Sequence, residues 1–321
     1  MGFVFALGAQ RWVFRKSYLD CCRVSETRQQ SSRANGRSRV FMSEVEPEAP
    51  EADSSLNQDL YKFAIPMLYD GWFSQSGELA KQMQESAVAA VNGGSRTLEI
   101  SFPPVPNVDE VKFGTKLNSM FGEDIARYFA IKDEKKVKRY MIEFANFYWA
   151  SRLAEAFPDR KVWILCCNSV KKSDARVPQN VEVACALDRV QRGKVPDDDA
   201  LVIVNDPGAT ENWRRGAKYG GKDRIVVMLN SAFVETYDLC GPLKEYEQSY
   251  FLKRISKGWV FKAEGQPWLA YLERPDGSVE ILDVSEQRPR LGAVSKTLRD
   301  ESFRRYSIYN DRWSPGFGAR L

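Results

Sequence analysis

Histidine is absent from all 321 residues of the chain. That one absence removes the commonest general base, the Ser-His and Cys-His nucleophile pairs, and the commonest metal ligand. The sequence also lacks a phosphate loop ending in Gly-Lys-Ser or Gly-Lys-Thr, and Gly216, Gly220 and Gly221 do not have dinucleotide-fingerprint spacing. Classical nucleotide binding therefore has no motif behind it. No run approaches the roughly 18 to 20 uninterrupted apolar residues that a spanning helix needs, so membrane contact is expected to be peripheral. None of the six cysteines stands in a Cys-x-x-Cys pair. Cys166, Cys167, Cys185 and Cys240 read as core thiols in a reducing compartment, and neither a metal nor a cofactor is expected.

What is present falls into two materials. The first 42 residues hold eight Lys or Arg (Arg11, Arg15, Lys16, Arg23, Arg28, Arg33, Arg37, Arg39) against two acids, Asp20 and Glu26. An acid-poor stretch rich in Arg and Ser has the make-up of an organelle transit peptide, and Phe3 and Phe5 resemble the leaders of plastid proteins in red-lineage and glaucophyte algae. The expected organisation is a transit peptide over 1–43, an acidic linker over 44–58 (Glu44, Glu46, Glu48, Glu51, Asp53), and one α/β domain over 59–321. Removing the leader's charges from the chain's 47 basic and 43 acidic groups leaves 39 and 41, close to neutral. The basic pI then belongs to the leader, and no nucleic-acid partner is implied.

The body is organised around residues 199–231. Residues 200–204 (Ala-Leu-Val-Ile-Val) and 225–229 (Ile-Val-Val-Met-Leu) are apolar at every position, as a strand covered on both faces requires. About twenty residues separate them, room for a helical crossover ended by Gly220-Gly221. Strands are also expected at 97–102, 161–167 and 181–187, and helices at 76–92 with Ser76 as N-cap, at 113–131 with a break near Gly122, and at 137–157. The basic run Lys135-Lys136-Val137-Lys138-Arg139 opposes the dipole of that last helix unless the helix begins at Asp133-Glu134 or an anion binds there. Residues 245–255 read as helical. Residues 259–263, 268–274 and 278–284 then alternate as an antiparallel meander, followed by a short helix over 294–306. The fold class is α/β, a mostly parallel Rossmann-like layered sheet with a C-terminal antiparallel meander.

Three strands stop alike, at Asn168-Ser169, Asn205-Asp206 and Asn230-Ser231. In an open parallel sheet these groups would gather beyond the carboxyl ends of the strands, where ligands bind. The same residue types also end strands and cap helices for local reasons. Asp197-Asp198-Asp199, just before a buried strand, reads as a solvated loop.

The succession of residues 198–204 (Asp-Asp-Ala-Leu-Val-Ile-Val), 225–230 (Ile-Val-Val-Met-Leu-Asn), Tyr250-Phe251-Leu252, Trp259-Val260-Phe261, Gln266-Pro267-Trp268 and Pro275-Asp276-Gly277-Ser278 resembles a family of plants, algae and cyanobacteria, numbered nineteen-ninety-five among the domains of unknown function. The resemblance spans about residues 65–294. In that family the domain stands alone in chloroplast proteins, is fused to adenylate kinase domains, and includes an assembly factor needed for photosystem II accumulation. The resemblance implies a plastid home and an auxiliary or assembly role with a protein partner, at the thylakoid surface or in the stroma. It carries no catalytic residues, and adenylate kinase activity does not transfer to a chain without the phosphate loop. Two readings stand: a non-catalytic protein-binding factor, or a small-molecule or nucleotide binder, an enzyme included, that uses the strand ends.

Overall fold

The computed structural model describes residues 77–107, 116–166, 177–187, 199–207, 210–221, 223–231, 246–276 and 278–310, with Phe73 and Val195. The leader, the linker, Asn168, Ser169, Cys167 and Cys240 lie outside the described residues. Among the described residues nine strands form one mixed sheet: β1 (Thr97–Ser101), β2 (Val162–Cys166), β3 (Val181–Ala186), β4 (Leu201–Asn205), β5 (Ile225–Leu229), β6 (Glu247–Ile255), β7 (Gly258–Ala263), β8 (Trp268–Glu273) and β9 (Val279–Ser285). Their order is β3-β2-β4-β5-β1-β6-β7-β8-β9. Pairing is parallel from β3 through β6 and antiparallel from β6 to β9.

Among the described residues six helices flank the sheet: α1 (Glu78–Asn92), α2 (Lys116–Tyr128), α3 (Glu134–Arg139), α4 (Met141–Glu155), α5 (Thr210–Ala217) and α6 (Leu291–Asn310). Alternation along the strands sorts the core by face. On the first face Leu98, Ile100, Ile164, Leu201, Ile203 and Val227 pack with Leu79, Met83, Phe144 and Trp149 of α1 and α4. On the second, Val202, Val204, Val226 and Met228 meet Trp213 of α5. Further along that face, Phe251, Val260, Trp268 and Leu272 meet Leu291, Val294 and Leu298 of α6. Cover on both faces is why β2 and β5 are apolar throughout and β4 is apolar up to its last residue, Asn205.

Several expectations need correction. Residues 247–255 form β6, a strand and not a helix: Glu-Gln-Ser-Tyr-Phe-Leu-Lys-Arg-Ile sends Tyr250 and Leu252 to one face and Phe251 and Ile255 to the other, so both faces are apolar and no period-two signal survives. The single helix expected over 137–157 is two, divided at Tyr140 (φ −120°, ψ 45°). The first of them begins at Glu134, where the Asp133 carboxylate accepts from the Lys135 N–H, so Lys136, Lys138 and Arg139 of the basic run fall in its last turn and complement the dipole. Gly122 does not break α2. It is buried, and a Cβ there would stand 2.8 Å from Met141 Cε, so the missing side chain serves close packing of α2 on α4. Ser76 lies outside the described residues, and the N-cap position of α1 is Gly77. The last helix is longer than expected and is kinked at Tyr306.

Candidate functional site at the carboxyl ends of the parallel strands

Parallel pairing brings Cys166, Asn205 and Leu229 into one register row, so β2, β4 and β5 end together. The sheet order creates two places where the connections leaving neighbouring strands depart in opposite directions. The chain leaves β2 toward the β3 edge but leaves β4 toward β5; it leaves β1 toward β2 but leaves β5 toward β6. Ligands of open α/β sheets bind at such switch points.

The β5–β1 switch point is sealed by Asn230. Its backbone N–H donates to the Ile100 carbonyl at 2.8 Å, its Oδ1 accepts from the Phe102 N–H at 3.0 Å, and its Nδ2 donates to Asn146 Oδ1 on α4 at 2.9 Å. The residue holds φ +51°, a left-handed conformation that Asn tolerates better than most. Its neighbour Ser231 is buried. Asp206 likewise sits at φ +50°, with its N–H on the Leu229 carbonyl at 2.9 Å.

The β2–β4 switch point is different. Asn205 is fully buried; its Nδ2 lies 4.0 Å from Cys166 Sγ and its Oδ1 has no hydrogen-bond partner. Burial pushes the Cys166 thiol up to about 12, against the lowering effect of Asn205, so the sulfur is a neutral thiol and a poor nucleophile. Of the six sequence-derived site residues, the structure brings Asn205, Asp206, Asn230 and Ser231 together at adjoining strand ends. Asn168 and Ser169 lie outside the described residues. Of the acidic triplet, Asp199 is described: it is exposed and paired with Arg160 Nη1 at 2.9 Å. Among the described residues no three His, Cys, Asp or Glu side chains gather where a metal ion would fit.

Sequence reasoning missed Glu99. It stands in the middle of β1, between Leu98 and Ile100, and projects from the second face, fully buried. Its Oε1 accepts from the Ser101 hydroxyl at 3.3 Å, and its Oε2 lies 3.9 Å from Arg288 Nη1 without a hydrogen-bond partner. Desolvation pushes the carboxyl up to about 7, with Arg288 and Ser101 pulling the other way. The sequence carries little signal of it: Thr97, Glu99 and Ser101 alternate with Leu98 and Ile100, the period-two pattern of a strand with one polar face, and only the cover on the second face buries the acid.

A mixed α/β sheet with polar strand ends at two switch points defines the structural class. Residues 74–296 match the family described as a domain of unknown function, DUF1995, and the chain belongs to that family. No curated protein and no solved structure matches it. Among the described residues no helix is long and apolar enough to cross a membrane.

Proposed function

We propose that this is a plastid protein, imported through its basic leader, that serves as a non-catalytic auxiliary or photosystem-assembly factor by binding another protein from the stroma or at the thylakoid surface. The observation that carries the reading is the sheet's outer edge. β9 ends the sheet, no strand pairs with its outer side among the described residues, and Ile281 and Val284 each stay 37% exposed. An open edge offers unpaired backbone donors and acceptors to an extended segment of a partner. Family membership and the charge change after the leader support the same reading. Affinity purification of the tagged chain from plastids, with mass spectrometry of proteins and small molecules, tests it. A protein recovered with the wild type and lost with an Ile281→Lys, Val284→Lys double variant of unchanged melting is the expected result. Recovery of a small molecule alone would refute it. A fluorescent fusion of residues 1–60 that stays in the cytosol would refute the plastid assignment.

A second reading, small-molecule or nucleotide binding, is favoured by one observation: the unpartnered, buried Asn205 Oδ1 at the β2–β4 switch point. A thermal-shift screen of nucleotides and plastid metabolites that gives a hit on the wild type, lost in folded Asn205→Ala, would establish it.

A further inference from the structure

The second face of the sheet carries two apolar clusters, one under α5 and one under α6, with β1 between them. There the core is interrupted by polar groups. Beside the buried carboxyl of Glu99 lies Ser249 of β6, also fully buried, whose hydroxyl has no partner. Arg288 approaches from the connector between β9 and α6. Its guanidinium lies 5.9 Å from the Phe251 ring centroid and 5.6 Å from that of Trp268, and its Nη2 has no partner.

We propose that Glu99 and Arg288 form a proton-controlled latch: the protonated carboxyl keeps the β9–α6 connector, and with it α6, seated on the sheet, and loss of the proton loosens them. The inference does not depend on which partner the protein binds. Its basis is an ion pair that is close without touching. At 3.9 Å Arg288 Nη1 is beyond hydrogen-bond reach of Oε2, so an ionised Glu99 would be buried with its charge incompletely matched. The protonated form avoids that cost, and burial accordingly moves the group's titration to about neutral pH. The groups facing it from the adjoining strands are uncharged: Met228 on β5, and Gln248 and Ser249 on β6. Glu247, at the start of β6, has its carboxylate on the Ser95 hydroxyl. Ser101, on its own strand, donates to Oε1. Arg288 is the charged group in contact, and its side chain is 29% exposed, so it leads from the carboxyl to solvent.

Hydrating an ionised Glu99 therefore means displacing Arg288. The arginine stands three residues before Leu291, the first residue of α6, and it shares the rings of Phe251 and Trp268 with the cluster into which Leu291, Val294 and Leu298 pack. A shift of the connector is passed directly to that helix. The sign follows from linkage: the closed form holds the proton more tightly than a hydrated open form does, so raising the pH favours opening.

Backbone hydrogen exchange of the full chain between pH 6 and 8.5, corrected for intrinsic rates, tests the latch. The expected result is α6 amides that exchange faster than those of β4 and β5, with protection falling about tenfold across that range. Glu99→Gln, which carries no titrating proton, should abolish the pH dependence. Arg288→Gln, which removes the cation that favours the ionised carboxyl, should move the transition to higher pH. Exchange of α6 in lockstep with β4 and β5 at every pH, or an unchanged fall in Glu99→Gln, overturns the proposal. Should Glu99→Gln fail to fold, an Arg288→Gln transition at the wild-type pH overturns it equally.

Discussion

Asn230 and Asn146, 84 residues apart in sequence, are joined by a buried 2.9 Å hydrogen bond that ties the end of β5 to α4. With the bond from the Phe102 N–H to Asn230 Oδ1, this one side chain locks two strands and a helix together. Asn230→Ala would leave the Phe102 N–H and Asn146 unsatisfied and place a Cβ-bearing residue without local compensation at φ +51°. The expected loss is roughly 3 to 5 kcal/mol, the sum of two orphaned groups and the left-handed penalty. Asn230→Gly should lose less, because it relieves the backbone part alone. Urea denaturation of the two variants checks the order, and equal losses would show that the backbone conformation is not strained.

Trp268 is buried between Phe251, at a centroid distance of 5.3 Å, and the apolar side of α6, with Arg288 over its ring. Trp259, two strands from β1, packs instead against the first-face core. The two tryptophans thus anchor opposite faces of the meander. Trp268→Ala should cost roughly 3 to 5 kcal/mol and loosen α6. Unchanged melting would show that α6 is held by other contacts.

Gly216 on α5 tests which of two opposed effects is larger. A Gly to Ala change inside a helix normally gains about 0.5 to 1 kcal/mol. Here the new Cβ would stand 2.8 Å from both Val204 methyl carbons and 3.2 Å from Met228 Cε, all inside the second-face core. Overpacking of that kind costs about 1 to 3 kcal/mol, so Gly216→Ala is expected to destabilise. Adding Val204→Ala should recover part of the loss by making room, and the double-mutant cycle measures the coupling. A stabilised single variant would mean that α5 shifts freely on the sheet.

What the sequence disclosed depended on whether one local pattern carried the information. β4 and β5 were legible because five consecutive apolar residues between polar ends have few other uses in an α/β protein. The meander was legible through period-two alternation and its turn residues. β6 was not, because a strand apolar on both faces and carrying Lys253 and Arg254 at its exposed end fits a helical period as well as an extended one. The strand-end row was found, since parallel order alone gathers it. Its division of labour was hidden: whether Asn230 seals a switch point is decided by Asn146, and whether Asn205 stays unpartnered is decided by its neighbours on other strands. Glu99 was passed over for the same reason, because its environment is built by Ser249 and by Arg288, which are distant in sequence.

Glu99 also predicts how the stability of the whole fold depends on pH. Its carboxyl titrates at about 7 in the fold against an ordinary 4.5, with burial as the main cause. Below the ordinary value both folded and unfolded chains carry the proton, and the group adds no pH dependence. Between 4.5 and 7 the unfolded chain releases its proton while the fold keeps it, so stability falls as pH rises; above 7 the fall is complete. The loss amounts to roughly 3 kcal/mol over that window. Other groups titrate as well, so the quantity to measure is the difference in unfolding free energy between wild type and Glu99→Gln. It should move in favour of the variant from pH 4.5 to 7 and then level off, leaving Glu99→Gln the more stable protein at pH 8 relative to its own standing at pH 4. Urea denaturation at half-unit intervals gives the curve. A difference that stays flat across the window would mean that Glu99 is hydrated in solution, and would remove the physical basis of the latch.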